Sequence, residues 1–211
     1  DFGKATFKPK FTDIFSTHSS LNYLSAARLC LFAARDVWFV IALPVFLASQ
    51  LKWSHQGVGI FFALWIIAYG AVQAYAPTLL TLSSKTIEGV NGRLVAFWSS
   101  ILSFVTLVLL ITLHFNQQIE GVLIVGLFIF GSVFAINSSL HSYLIVFLAK
   151  EDGVSMDVGF YYTANALGRL LGTVLSGVLY QSFNTNQEGL TACLFVSFLL
   201  AIMAALFIKR V

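Results

Sequence analysis

Apolar residues gather in long stretches separated by short polar links, and six stretches reach the roughly 20 residues that a helix needs to cross a bilayer core of about 30 Å. They cover 23–49, 58–81, 93–114, 121–148, 158–181 and 189–208, and the fourth is long enough to tilt. The links Lys52–Gln56, Ser83–Gly92, His114–Glu120, Lys150–Asp157 and Ser182–Glu188 are too short to hold a separate domain. The pattern predicts an all-α membrane protein, with a six-helix transmembrane domain over 23–211 and a polar, basic segment, 1–22, that reads as a cytoplasmic linker. That segment has no apolar stretch followed by a cleavage site and opens on Asp1, so a fragment of a longer protein is expected.

Composition points the same way. The 211 residues are 58% hydrophobic and 10% charged, with a mean hydropathy of +0.87, whereas soluble domains carry about 25% charged residues. The lipid bilayer is therefore the first expected partner. A net charge of +3 from scattered residues excludes a nucleic-acid surface, which needs clustered Lys and Arg on a solvated face. Cys30 and Cys193 lie apart in apolar stretches, so neither a disulfide framework nor a thiolate metal site is indicated. With the N-terminal segment in the cytoplasm, Lys4, Lys8, Lys10, Lys85, Arg93, Lys150, Lys209 and Arg210 fall on that side and only Lys52 falls outside. The positive-inside rule then places both ends of the chain in the cytoplasm of a plasma or bacterial inner membrane, with Trp53 at the outer interface.

Three cations and one anion remain inside the stretches: Arg28, Arg35, Arg169 and Asp36. A charge at a helix centre costs about 2.5–3.5 kcal/mol on insertion scales, so each needs a partner or a water-filled cavity. Arg28 and Arg35 are close to two turns apart and share a face, and Asn165 lies one turn before Arg169. Asp36 can lock two helices through a buried ion pair, for example with Arg169, but one carboxylate cannot neutralise three guanidinium groups. The excess positive charge calls for an anionic small-molecule substrate whose carboxylate, phosphate or arsenate oxygens accept paired hydrogen bonds from arginine.

Further polar residues recur four apart: Trp65, Tyr69 and Gln73 in the second stretch, and Asn137 and His141 in the fourth. His141 reads either as a satisfied interhelical hydrogen bond or as a substrate contact or proton relay. Among their small polar residues the third and sixth stretches hold only Ser, Thr and Cys, so four helices are expected to line a cavity and two to face lipid. The candidate substrate-binding set is Arg28, Arg35, Asp36, Tyr69, Gln73, Asn137, His141, Asn165 and Arg169. The 21 Phe residues read as packing and lipid-facing groups, Gly168 and Gly172 as a close helix contact, and Pro44 and Pro77 as kinks.

Missing motifs exclude several chemistries. The sequence has no GxxxxGK[ST] loop, no G-x-S-x-G elbow, no TVGYG filter and no helix with arginine at every third position, which argues against an ATP-driven motor, a hydrolase, a potassium channel and a voltage sensor. His18, His55, His114 and His141 are too dispersed to suggest a metal site. No enzyme activity, cofactor or metal is expected. Two alternatives stand beside an anion carrier. One is an exporter of another organic anion or drug by proton antiport, although a cationic-drug exporter wants buried acids and this chain offers one Asp against three Arg. The other is a non-transport scaffold or receptor, favoured if the polar stripes do not face one another.

Six spans in a three-plus-three arrangement, with a basic tail from Lys4 to Ser20 ahead of the first, resemble the C-terminal half of a major facilitator superfamily transporter. The link ending in Gly92-Arg93 is a degenerate version of that family's G-x-x-x-D-R-x-G-R-R loop, because the Asp is missing. At finer grain, Leu24-Ser-Ala-Ala-Arg28, Ala34-Arg35-Asp36-Val-Trp-Phe-Val40, Leu43-Pro44-Val45-Phe46 and Gly168-Arg169-Leu-Leu-Gly172-Thr-Val-Leu-Ser-Gly177 resemble the organoarsenical efflux permeases of arsenic-resistance operons. The resemblance implies a missing N-terminal six-helix half as partner and export of 1-arseno-3-phosphoglycerate by alternating access. It also implies functional coupling to glyceraldehyde-3-phosphate dehydrogenase, which makes that compound when arsenate replaces phosphate. In such a carrier Arg35 and Arg169 bind the anion, Arg28 draws it in from the cytoplasmic side, and Asp36 orients an arginine or titrates. Two isolated cysteines suit a pentavalent, oxygen-coordinated substrate better than trivalent arsenic, which favours clustered thiolates.

Overall fold

The structure, a computed structural model, describes residues 19–83, 92–115, 119–149 and 154–211. Lys4, Lys8, Lys10, Lys85 and Lys150 of the charge-asymmetry argument, and most of the expected linker, lie outside the described residues. Among the described residues seven helical segments follow one another: α1 Ser19–Phe39, α2 Ala42–Ser49, α3 His55–Ser83, α4 Gly92–Phe115, α5 Ile119–Leu148, α6 Val154–Gln181 and α7 Asn186–Ile208. α1 opens four residues ahead of the expected first span, at Ser19. Five stretches are long and apolar enough to cross a membrane: Ser19–Ser49, His55–Thr78, Gly92–Phe115, Ile119–Leu148 and Asn186–Ile208. The fifth expected span, 158–181, differs. It is a helix of spanning length, the 28 residues of α6, but Asp157, Asn165, Arg169 and its glycines keep it out of the apolar set. The chain is a multi-pass membrane protein, helical throughout the elements of its described residues.

The first span is two helices in line, broken at Val40 and Ile41. Pro44 is the cause, since it lacks an N–H and its ring clashes with the carbonyl four residues earlier, that of Val40. The interruption is repaired from another helix, because Ala42 N–H, opening α2, donates to Ser176 Oγ of α6 at 3.1 Å.

Pro77, inside α3, acts more gently. It frees the Gln73 carbonyl, four residues back, and Ser139 Oγ of α5 donates to that oxygen at 3.1 Å. In an apolar interior an unmet carbonyl is costly, so the hydroxyl substitutes for the missing helical bond. Ser139→Ala is expected to destabilise the protein by about 1–2 kcal/mol, but by less than half of that in a Pro77→Ala background, where a restored N–H meets Gln73. Chemical unfolding of the four proteins of this cycle in detergent measures the difference; equal costs in both backgrounds contradict the assignment.

α1 is the central helix, packed mainly against α6 and α7, while α4 packs on α7 and α5, and α3 on α5. Trp38, Phe130 and Phe134 form one aromatic column between α1 and α5, with Trp38 edge-on to Phe130 at 5.1 Å and Phe130 stacked on Phe134 at 5.9 Å. α6 lies backbone to backbone with α1, because a Cβ at Gly168 would stand 2.3 Å from Leu29 O and one at Gly172 would stand 2.8 Å from Ala33 O. Tryptophan anchors tie the rest, with Trp65 Nε1 donating to Leu127 O at 3.0 Å and Trp53 Nε1 to Glu120 Oε1 at 2.8 Å.

α4 and α7, the two helices expected to face lipid, expose Phe97, Phe104, Phe195 and Leu206 on one side and pack on other helices with the opposite side. In α4 and α7, Ser99, Ser103, Thr106 and Ser197 are buried, and Ser197 Oγ donates to Ala34 O at 2.5 Å. These small polar groups join helices. The least covered element is α3, with 6% of its apolar window buried against 67% for α1 and α2 together.

Candidate functional site

In the last turn of α1, near the middle of the Ser19–Ser49 span, Asp36 is 1% exposed and takes two guanidinium groups at once. Arg35 Nε donates to Asp36 Oδ1 at 2.6 Å, and Arg169 Nε of α6 donates to Oδ2 at 3.3 Å. The sequence left open which arginine the carboxylate would meet, and the structure joins it to both. Gly172, one turn beyond Arg169, makes the contact accessible: a Cβ there would stand 2.9 Å from the Asp36 Cβ. Each arginine spends its Nε on the shared carboxylate, and among the described residues no partner meets their Nη groups. The Arg35 side chain is 13% exposed, whereas that of Arg169 is 59% exposed. One acid therefore fixes two forks side-on and leaves their terminal donors for an oxyanion.

Aromatic rings support the cations from below. The Arg28 guanidinium lies over Phe32 at 4.2 Å, and that of Arg35 lies over Phe32 at 4.9 Å and Phe134 at 5.0 Å. Phe32 is four residues after Arg28 and three before Arg35, so helix geometry puts all three on one face. Such cation–π contacts contribute about 0.5–2 kcal/mol each. Tyr69 joins the same group, stacked on Trp65 at 5.5 Å and tilted against Phe134 at 6.0 Å.

Arg28 departs from its expected role as an electrostatic funnel. It is buried, 4% exposed, with Nε donating to Asn165 Oδ1 and Nη1 to Ser138 O, both at 3.1 Å, and with the Tyr161 ring 5.1 Å away. Asn165 thus serves Arg28 rather than the Arg169 end of the site. His141 is buried in this neighbourhood, and neither ring nitrogen has a hydrogen-bond partner.

Asn137 and Gln73 make their hydrogen bonds outside this cluster. Asn137 faces α4, where its Oδ1 accepts from Ser99 Oγ at 2.9 Å and its Nδ2 donates to Trp98 O and Val133 O, each at 3.0 Å. Its hydrogen-bonding capacity is spent on packing α5 against α4. Gln73 contributes through its main chain, as the carbonyl that Ser139 reaches. The residues that sequence reasoning missed are Phe32, Phe134, Tyr161 and Ser138. Phe32 carried a legible signal, its spacing between two arginines, whereas Ser138 acts through its carbonyl, which no side-chain pattern encodes.

The site joins one carboxylate to two of its three arginines and leaves guanidinium N–H donors of a kind that suits an oxyanion. The family model described as Major Facilitator Superfamily matches residues 24–211. No curated protein matches the chain.

Proposed function

This chain belongs to the major facilitator superfamily, and on that premise we propose that it is the C-terminal six-helix half of an organic-anion exporter working by alternating access. The family is one of secondary transporters, and membrane transport is the function that membership assigns. The observation that carries the anion reading is Arg169, paired with a buried Asp36 yet 59% exposed near the middle of α6. A guanidinium at that depth does not face acyl chains, so its open side meets a water-filled cavity or another protein half. The sparsely covered α3 supports the same missing half.

For the substrate we propose 1-arseno-3-phosphoglycerate, with glyceraldehyde-3-phosphate dehydrogenase as its source, in an inner membrane with both ends of this segment cytoplasmic. The support is the motif resemblance around Arg28, Arg35 and Arg169, together with an excess of guanidinium over carboxylate. In this mechanism the terminal donors of Arg35 and Arg169 take the substrate oxygens, Asp36 holds the two forks in register, and rocking of the halves exposes the site to each side in turn.

In the full-length protein, Arg35→Ala and Arg169→Ala are each expected to reduce arsenic export at least 100-fold, the scale of losing a charge-assisted pair of hydrogen bonds. Asn137→Ala is expected to lower stability but leave export per folded molecule within about threefold. Export assays normalised to membrane-inserted protein measure this; arginine variants that insert and still export would overturn the site.

A further inference from the structure

Around Arg28 the polar groups outnumber their partners. This buried guanidinium touches no carboxylate among the described residues and uses two of its N–H groups, on Asn165 Oδ1 and Ser138 O. Ser25 Oγ, Ser138 Oγ and both ring nitrogens of His141 are buried with no hydrogen-bond partner. The Tyr161 hydroxyl, beside Ser142, meets no hydrogen-bond geometry either. The Tyr161 ring is 5.1 Å from the Arg28 guanidinium, His141 is one turn after Ser138 on α5, and Ser25 is one turn before Arg28 on α1. The large majority of buried side-chain polar atoms in folded proteins are paired, so this concentration around one uncompensated cation calls for a ligand. The set is rich in donors: guanidinium N–H, two serine hydroxyls, a phenol and an imidazole N–H. Donors around a cation suit a tetrahedral oxyanion.

We propose that Ser25, Arg28, Ser138, His141 and Tyr161 form a second oxyanion subsite, which takes one phosphate or arsenate group during the transport cycle. The proposal rests on the anion-carrier reading and deepens it by assigning a second anionic group of the substrate to named residues. The guanidinium carbons of Arg28 and Arg35 lie 4.2 and 4.9 Å from the same Phe32 centroid, hence within about 9.1 Å of each other. A short carbon chain with an oxyanion at each end fits between the two subsites. The source is a soluble anion rather than a lipid headgroup. Arg28 lies nine residues into α1, Tyr161 seven into α6, and His141 seven from the end of α5, about 10–14 Å from that end of the bundle.

The test uses the purified full-length protein in detergent, with inorganic phosphate as probe and thermal unfolding as readout. Phosphate is expected to raise the Tm of the wild type. In Ser138→Ala/His141→Leu the Tm without phosphate is expected to stay equal or rise, because the deleted groups are unpartnered, while phosphate affinity falls at least tenfold. Ser99→Ala, which removes a partnered hydroxyl, is the contrast and lowers the Tm with and without phosphate. Three results overturn the subsite alone. The first is a double variant that binds phosphate as the wild type does while Arg169→Ala does not, which leaves the carrier reading intact. The second is a double variant with a lowered Tm before phosphate is added, which makes the cluster structural. The third is stabilisation by phosphatidylglycerol but not by phosphate, which reassigns the cluster to lipid. A wild type that gains nothing from phosphate or from arsenate overturns the subsite and the carrier reading together.

Discussion

Asp36→Ala is expected to abolish transport and to lower stability by roughly 3 kcal/mol, the low end of the range for removing one partner of a buried ion pair. The carboxylate is buried and both of its oxygens accept from arginine. Its loss leaves the Arg35 guanidinium in an aromatic setting of Phe32 and Phe134 with no counter-charge. Arg169 adds less to the loss, because at 59% exposure it is screened by solvent. Transport suffers more than stability, since two forks that were held side-on are released and each regains its rotamer freedom. Asp36→Asn keeps the shape but only one accepting oxygen, so it is expected to fold nearly as the wild type does and still export poorly. Unfolding in detergent combined with an export assay separates the two effects. An Asp36→Asn variant with full export would show that the carboxylate only locks α1 to α6.

The largest structural effect is expected from Gly168→Val. A Cβ at Gly168 would stand 2.3 Å from Leu29 O and 2.9 Å from the Leu29 Cα, and a main-chain carbonyl in the central helix cannot swing aside as a side-chain tip can. α6 must move off α1, which separates Asn165 from Arg28 one turn before and Arg169 from Asp36 one residue after. Overpacking of this kind costs typically 1–3 kcal/mol and more when backbone is the obstacle, so loss of the inserted, folded protein is the expected outcome. Gly70 in α3, whose Cβ would meet nothing within 4 Å, is the control, and Gly70→Ala is expected to change stability by no more than about 1 kcal/mol. Expression and detergent stability of the two variants read this out; equal tolerance would contradict the close approach of α1 and α6.

Much of this organisation is legible in the chain because burying charge in an apolar run is expensive. Arg28, Arg35, Asp36 and Arg169 stand out against their surroundings, and all four fall along the α1–α6 contact that Gly168 and Gly172 permit. Stripe patterns carried less. The four-residue spacing of Asn137 and His141 places them on adjoining turns of α5, but it does not say which helix lies opposite, and Asn137 turned out to serve α4. Main-chain roles were invisible for the same reason, since neither the Gln73 carbonyl freed by Pro77 nor the Ser138 carbonyl under Arg28 leaves a side-chain signature. The break at Val40 and Ile41 was foreshadowed by Pro44, but its repair by Ser176 depends on a contact 134 residues away in sequence. α6 escaped the apolar criterion because the residues that build the site are the ones that make it polar.

The most direct measurement uses sealed, energised inside-out vesicles containing the full-length protein, incubated with arsenate, glyceraldehyde-3-phosphate and NAD, with and without glyceraldehyde-3-phosphate dehydrogenase, and scored for trapped arsenic. The account predicts accumulation only when the dehydrogenase is present, and none for Arg169→Ala. Equal arsenic in wild-type vesicles with and without the dehydrogenase, or undiminished accumulation by Arg169→Ala, would contradict it.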